Sequence, residues 1–210
     1  MKFFNYLLIS LWTLVLLCGG NASAQKVRYV YDQNDDGTVY KSLDEALAHP
    51  EKVYRLKLVN KHRMDSLPEK IFMLKNLREL TVKGCKLNVL NQHISQLDKL
   101  IYLNVSCNHL VRLPQTIGDM TQLKGLVISR NKIYELPETM GTMKSLEIID
   151  AWDNPLYVLP ESISQLAESL KIFDLRQVAV REEELEKMEK LLPQTNILTT
   201  SYCACSKGDR

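Results

Sequence analysis

The sequence has 210 residues, of which 45% are hydrophobic and 25% are charged, with 8 Gly and 7 Pro. This composition is typical of a globular domain and excludes collagen-like, disordered and disulfide-packed mini-proteins. A net charge of +2, from 27 Lys and Arg against 25 Asp and Glu, argues against a general nucleic-acid binder.

Residues 1–24 have the pattern of a secretory signal peptide. Lys2 supplies the positive charge, an apolar run covers 7–17, and Ala22-Ser23-Ala24 matches a small-x-small cleavage site before Gln25. We therefore expect an exported protein, either periplasmic, on the cell surface or secreted, after cleavage near Ala24 and Gln25.

The apolar run at 7–17 is short for a bilayer span, which needs about 20 residues, and no second run of that length follows. We expect no transmembrane segment. Cys18 raises the alternative of a lipid anchor, but Leu17 stands where lipoprotein signals carry Gly, Ala or Ser. This argues against lipidation at Cys18.

Residues 25–52 are predicted to form an N-terminal cap. The segment 27–31 alternates like a strand, 34–37 is a turn, and Ser42 with Glu45 opens a short helix as a capping box. Asp32, Asn34 and Asp36 before Gly37 also match the first half of a calcium loop, but Leu43 occupies the twelfth position, where a bidentate Glu belongs. A plain turn is the favoured interpretation.

Residues 53–180 contain an internal repeat with a period of 23 residues. Its segments begin at Leu77, Leu100, Leu123 and Leu146, with Val53 and Leu170 lying 24 residues outside that series. The clearest segment continues from Leu123 through Leu126, Ile128, Asn131, Ile133, Leu136-Pro137, Met140 and Gly141.

This pattern resembles the leucine-rich repeat of the Leu-Pro-x-x-Ile-Gly-x-Leu type, as in Ras-group-related and similar bacterial exported repeat proteins. The resemblance implies an α/β solenoid of five repeats plus a terminal strand. A parallel β-sheet would line the concave side, and short helical or irregular segments the convex side, with caps at both ends. The residues agree, because Leu-x-Leu alternation favours a short strand and Asn can bond the backbone of a tight turn. No single repeat buries its own apolar face, so the repeats must stack.

Three departures from the repeat predict local bulges. One extra residue lies within 59–63, another lies within 166–170, and Cys85 stands where later repeats carry Asn. Val178 also replaces Asn after the strand at 170–175, so we expect repetition to end there.

Residues 181–200 are predicted to form a C-terminal cap, with a polar helix over 181–192 that stops before Pro193. The tail 201–210 is polar and is expected to be mobile. It contains Cys203 and Cys205, which with Cys85 and Cys107 would leave four thiols in an oxidising compartment. Three pairings are possible, and spacing does not select one.

The sequence offers little support for a metal site or an active site. His62, Cys85, Cys107 and His109 fall on successive rungs, so a zinc site is geometrically conceivable, but no short paired spacing supports it. Cys85 is more typical of a small buried residue, with a disulfide to Cys107 as an alternative. Because no Gly-x-Ser-x-Gly, His-Glu-x-x-His or Gly-rich phosphate motif occurs, we predict a protein that is not an enzyme and needs no cofactor.

The predicted functional surface is the concave face. Side chains alternate across a strand, so the third, fifth and seventh positions of each repeat face the open curve. The first two repeats are mostly polar and charged there, whereas the later ones carry an apolar strip edged by charges. The predicted partner-binding residues are Tyr102, Val127, Arg130, Ile148, Asp150, Trp152, Ile172, Asp174 and Arg176.

An exposed strip of this kind is typical of an interface. We therefore predict an exported, non-enzymatic protein-protein interaction module that binds a protein or peptide on this face. The alternative is a structural protein of the cell envelope or surface that self-associates, as a homo-oligomer, through the same strip or its thiols. The predicted anchors are Tyr102, Ile148, Trp152 and Ile172, with Arg130, Asp150, Asp174 and Arg176 setting register and specificity.

Overall fold

The computed structural model describes residues 33–61 and 64–200. The predictions for the signal segment 1–24 with Cys18, for the strand at 27–31, and for Asp32, His62 and the tail with Cys203 and Cys205 lie outside these ranges. All of the repeat except residues 62 and 63 lies within them.

Seven parallel strands form one sheet in sequence order. They are β1 Arg55–Val59, β2 Glu79–Lys83, β3 Tyr102–Asn104, β4 Gly125–Val127, β5 Ile148–Asp150, β6 Ile172–Asp174 and β7 Asn196–Leu198. The register joins equivalent positions of successive repeats, as Leu80 pairs with Leu103 and Leu103 with Leu126. The parallel sheet expected from the repeat is confirmed.

The core lies between the sheet and a layer of short 3₁₀ helices. These helices are Glu69–Met73, Gln92–Gln96, Gln115–Asp119, Glu138–Thr142 and Glu161–Leu166, after a single turn at Pro50–Lys52. The residue before each of the five is Pro or, once, Asn in extended conformation, which suits the entry to a helix. Each helix buries at least one large apolar side chain against the inward row of the sheet, which includes Leu56, Leu80, Leu103, Leu126, Ile149 and Phe173.

Both predicted insertions are present. The helix Glu161–Leu166 is one residue longer than the four before it, and Leu170 N–H donates to the Leu166 carbonyl at 2.8 Å. At the other end, β1 stays in register with β2 as far as Val59 and Lys83, so the extra residue lies between Val59 and Leu67.

An asparagine ladder closes the turn after the strands. Asn131 Nδ2 donates to the carbonyls of Val105 at 3.0 Å and Ile128 at 2.8 Å, and its Oδ1 accepts from Leu110 N–H at 3.1 Å. Asn108 and Asn154 make equivalent bonds. Each of these amides therefore joins two rungs, and all three are buried. The turn-bonding role predicted for Asn is confirmed.

The N-terminal cap contains helix α1, Leu43–Ala48, and covers the edge of β1. The backbone of Tyr40 pairs with β1 opposite Leu56. Its N–H donates to the Arg55 carbonyl and its carbonyl accepts from the Lys57 N–H. The helix was predicted, but the capping box is wrong, because Ser42 precedes α1 without a side-chain cap bond. Its carbonyl instead accepts from Ala46 N–H at 3.1 Å.

The C-terminal cap contains helix α2, Glu182–Leu191, where a polar helix was predicted. The prediction that repetition ends after the strand at 170–175 is wrong, because β7 adds another rung. Leu175 N–H donates to the Leu198 carbonyl at 2.8 Å, and Asn196 N–H donates to the backbone carbonyl of Lys171 at 2.8 Å. The helix α2 replaces the 3₁₀ helix of this rung, so the leucine framework that reveals earlier rungs is missing from its sequence.

Candidate functional site: the concave face

The predicted residues lie together on the concave face, the face of the sheet turned away from the core. In one row, Tyr102 is followed by Gly125, Ile148 and Ile172 on the next strands. In a second row, Val127, Asp150 and Asp174 are direct neighbours. Arg130, Trp152 and Arg176 follow β4, β5 and β6, and Arg130 N–H donates to the Trp152 carbonyl at 2.8 Å.

The apolar strip is less exposed than the sequence suggested. Ile148 and Ile172 each expose only 6% of their surface, so the expectation that both are open anchors is wrong. Strands lie about 4.8 Å apart, so a side chain between two neighbouring strands is covered from both sides. The register places Ile172 between Ile148 and Asn196 of the unexpected β7. Tyr102, Val127 and Trp152 are partly exposed.

Trp152 is held in place by its neighbours. The Arg130 guanidinium carbon lies 5.3 Å from the centre of the Trp152 ring, which is cation–π distance. Arg130 also approaches Asp153, with 3.7 Å between Nε and Oδ2. The backbone N–H of Trp152 donates to Asp150 Oδ1 at 3.2 Å, which fixes the turn that carries the ring. The indole is therefore already stacked against the Arg130 guanidinium.

Asp174 and Arg176 form a pair of their own. Arg176 Nε lies 3.0 Å from Asp174 Oδ1, and its terminal nitrogen NH2 lies 2.6 Å from Oδ2. The Asp174 side chain is 7% exposed and that of Arg176 is 50% exposed. The carboxylate is thus engaged inside the protein, whereas half of the Arg176 side chain is exposed to solvent.

Asp150 lies beside this pair and is unusually desolvated. Burial raises the pKa of Asp150, and the neighbouring Asp174 carboxylate adds to the effect. The Trp152 N–H, the Ser129 hydroxyl at 3.1 Å and the Arg176 charge oppose it. The concave face therefore carries a carboxyl group that resists ionisation.

The polar residues that end the strands have a structural task that the sequence did not reveal. Asn104, Asp150 and Asp174 each accept a bond from the backbone N–H two residues later. Short side chains with an oxygen acceptor form such turns readily. Asp150 and Asp174 therefore terminate strands as well as charging the face.

A second surface was missed by sequence reasoning. It lies after the asparagine turn and contains Val89, Val111, Arg112, Tyr134, Tyr157 and Val158, which we call the tyrosine flank. The rings of Tyr134 and Tyr157 stack with 5.7 Å between centroids and 8° between planes, and Arg112 lies 4.8 Å above Tyr134. The 23-residue spacing of Val111, Tyr134 and Tyr157 is the sequence signal of this surface, and it lies outside the core positions that define the repeat.

Comparison with known proteins agrees with this architecture. The family model described as leucine rich repeat matches residues 75–133. The described part of the chain therefore has the leucine-rich repeat fold.

Solved leucine-rich repeat structures are similar over about 70% of the chain. A leucine-rich repeat protein of Leptospira interrogans is 29% identical, with a TM-score of 0.55 over 69% of this chain and 43% of that one. The ectodomain of the plant receptor kinase GASSHO1/SCHENGEN3 from Arabidopsis thaliana, solved with Casparian strip integrity factor 2, is 19% identical, with a TM-score of 0.54 over 70% and 17%. An internalin (inlF) from Listeria monocytogenes is 17% identical, with a TM-score of 0.52 over 69% and 39%.

This leucine-rich repeat protein spans less than half the length of those three chains. A comparison with curated protein sequences gives no match. Leucine-rich repeats are typically non-enzymatic scaffolds that bind protein partners. Within 33–61 and 64–200, no helix is long and apolar enough to cross a membrane.

The thiols of this leucine-rich repeat protein differ in position. Cys85 occupies the asparagine position and is fully buried, as predicted, whereas Cys107 lies in the turn with φ of 57° and is half-buried. Both are free, so the disulfide alternative is wrong, because the two residues occupy different positions of the turn. Among the described residues, no three His, Cys, Asp or Glu side chains are grouped to hold a metal.

Proposed function

We propose that this leucine-rich repeat protein is an exported, non-enzymatic module that binds a protein or peptide on its concave face. The observation that carries the proposal is the pair formed by Trp152 and Arg130, an aromatic side chain and a cation ordered before any ligand arrives. Aromatic and Arg residues dominate binding hot spots, and pre-ordered groups lose less entropy on association.

The roles of the predicted residues differ from one another in this proposal. Trp152 is the central anchor, with Tyr102 and Val127 extending its apolar surface. The exposed part of Arg176 offers a cation at the rim, and Asp174 orients it. Ile148 and Ile172 form the floor under the anchor, since both are buried.

Export is proposed from the sequence pattern of residues 1–24. The N-terminal sequence of the protein recovered from its host tests this part. We expect a first residue near Gln25 and recovery outside the cytoplasm. Recovery from the cytoplasm with Met1 intact would contradict it.

The binding site is tested by partner capture from an extracytoplasmic extract with three forms of the protein, namely wild type, Trp152→Ala and Met73→Ala. Met73→Ala is the control, because it removes an exposed apolar side chain that lies outside the concave face and the tyrosine flank. We expect a retained protein that is lost at least about tenfold with Trp152→Ala only, as for an anchor residue.

Equal recovery with all three forms would contradict the concave site. Recovery of only the protein itself would instead favour the self-associating alternative. Sedimentation across a range of protein concentrations separates that case, because self-association requires a concentration-dependent species.

A further inference from the structure

The tyrosine flank holds most of the exposed large hydrophobic residues of the described chain. Within residues 33–61 and 64–200, six large hydrophobic residues are exposed, and four of these six lie on this flank. Tyr157 is 61% exposed, Val89 58%, Val158 48% and Val111 45%. Clustered exposure of this kind marks interaction sites, whereas single exposed apolar residues do not.

The aromatic stack on this flank is fixed by backbone pairing. Tyr157 N–H donates to the Tyr134 carbonyl at 3.2 Å, and Glu135 pairs with Val158 in a parallel bridge. Tyr134 covers one face of the Tyr157 ring. Among the described residues, no second ring and no cation covers the other face.

A small groove begins beside Tyr157. Leu156, Leu159 and Val180 supply its apolar lining, and Glu184 of α2 lines it as well. The Glu184 carboxylate is part-buried and, within the described ranges, makes no ion pair shorter than 4.0 Å. The nearest cation that acts on Glu184 is Lys187, and its ammonium group is paired with Glu161 at 3.0 Å. Glu182 and Glu183 add two carboxylates to the first turn of α2, against Arg181 before it.

At the other end of the stack, a guanidinium of this protein already lies between a tyrosine ring and a carboxylate. The Arg112 guanidinium lies 4.8 Å from the Tyr134 centroid, and Arg112 Nε lies 3.0 Å from Glu135 Oε1. One ring face and one carboxylate thus hold one guanidinium. Tyr157 and Glu184 provide the same two groups at the groove, without a guanidinium of this chain between them.

We propose that an arginine side chain of a partner's extended peptide segment docks on Tyr157, with its guanidinium directed to Glu184. The apolar residues next to this arginine in the peptide would pack on Val158. The ring face attracts a cation, and the carboxylate gives it a charge-assisted bond. This site is distinct from the concave face and extends the binding function to a second surface.

The test is a titration of the isotope-labelled protein with two capped peptides, Ac-Ala-Val-Arg-Val-Ala-NH2 and the same peptide with citrulline in place of arginine. Citrulline keeps the shape and removes the charge. We expect saturable NMR shifts at Tyr157, Leu159 and Glu184, with the citrulline peptide binding at least about threefold more weakly. Added salt should weaken the arginine peptide more than the citrulline peptide.

Three variants give the proposal its controls. Tyr157→Ala should abolish saturable binding, and Glu184→Gln should reduce the preference for arginine over citrulline. Met73→Ala removes an exposed apolar side chain elsewhere and should leave the titration unchanged. Amide spectra of each variant confirm that it is folded.

The proposal is overturned by the absence of saturable shifts, by equal affinity for the two peptides, or by unchanged binding to Tyr157→Ala. It is also overturned if the same resonances move with protein concentration alone, since the flank would then bind a second copy. None of these outcomes depends on Trp152, so this test and the concave-face test fail separately.

Discussion

Asp35 and Arg55 form a doubly bonded ion pair that ties the N-terminal cap to the first strand of the sheet. Asp35 Oδ1 lies 2.6 Å from Arg55 NH1, and Oδ2 lies 2.9 Å from NH2. The side chains are 1% and 5% exposed. Asp35 Oδ1 also accepts from Gly37 N–H at 2.8 Å, so the same carboxylate shapes the turn.

Asp35→Asn should therefore destabilise the protein. Removing one member of a buried pair leaves the other charge buried, which costs about 3 kcal/mol of unfolding free energy. Glu79, 3.5 Å from Arg55 Nε, limits the loss. Urea denaturation measures it, with Asp36→Asn at the exposed neighbouring position as the control. Equal midpoints for the two variants would show that the pair does not stabilise the cap.

Asn131→Ala should be among the most destabilising polar substitutions. It leaves the Leu110 N–H without its partner, at about 1–3 kcal/mol for an orphaned buried group. It also removes one of the two amide bonds to each of the Val105 and Ile128 carbonyls, which keep their bonds from Asn108 and Asn154. Asn88→Ala removes an exposed amide that bonds Asp65 and serves as the control. Thermal unfolding of both variants compares them, and similar melting temperatures would contradict a structural role for the ladder.

Gly118→Ala tests the packing of the convex layer. A Cβ at Gly118 would lie 2.3 Å from the Thr139 carbonyl oxygen, so the rungs must separate to admit it. We expect a loss of about 1–3 kcal/mol, as for other overpacked positions. Ser95 occupies the same place one repeat earlier, and Ser95→Ala should change stability by less than about 0.5 kcal/mol. Comparable losses from both substitutions would indicate that the layer accommodates a methyl group.

Asp150→Asn should alter the pH dependence of stability. Because burial raises the pKa of Asp150 above its ordinary value of 3.8, the folded state binds this proton more tightly than the unfolded state. The wild type must therefore lose stability relative to Asp150→Asn as the pH rises from below 3.8 through the raised pKa. Urea denaturation of both proteins from pH 3 to pH 7, about the range over which carboxyl groups titrate, measures the difference. A constant difference, or one of opposite sign, would contradict the raised pKa.

The two described thiols should differ in reactivity. Cys85 is fully buried and Cys107 is half-buried, and thiol modification requires access to the sulfur. An alkylating reagent should label Cys107 in the native protein and Cys85 only after denaturation. Mass spectrometry of proteolytic peptides separates these two sites from the other cysteines. Rapid native labelling of Cys85 would mean that its rung opens readily.

The repeat allowed most of the fold to be predicted, because leucine and asparagine recur wherever the same buried environment recurs. The places of both insertions followed from the same counting. The last rung did not, since α2 and β7 carry no leucine framework. The pairing of Asp35 with Arg55 was also out of reach, because Asp35 lies outside the period.

The candidate site was predicted in position and only partly in exposure. Alternation assigns a side chain to one face of the sheet, but it does not show how far neighbouring strands cover that side chain. Ile148 and Ile172 were therefore placed on the right face and wrongly expected to be open. The strand-ending bonds of Asp150 and Asp174 depend on local backbone geometry that periodicity does not report.

The asparagine ladder ends at Asn154, which follows β5, two rungs before the end of the sheet. Val178 stands in the place of the amide after β6, so β6 and β7 are joined by backbone bonds and by hydroxyl groups, such as Thr195 Oγ1 on the Leu170 carbonyl at 2.7 Å. Interior rungs share amide bonds with their neighbours and must open together, whereas the last rung can fray alone. Hydrogen exchange should accordingly begin at β7 and α2 and reach the rungs of Asn108 and Asn131 last.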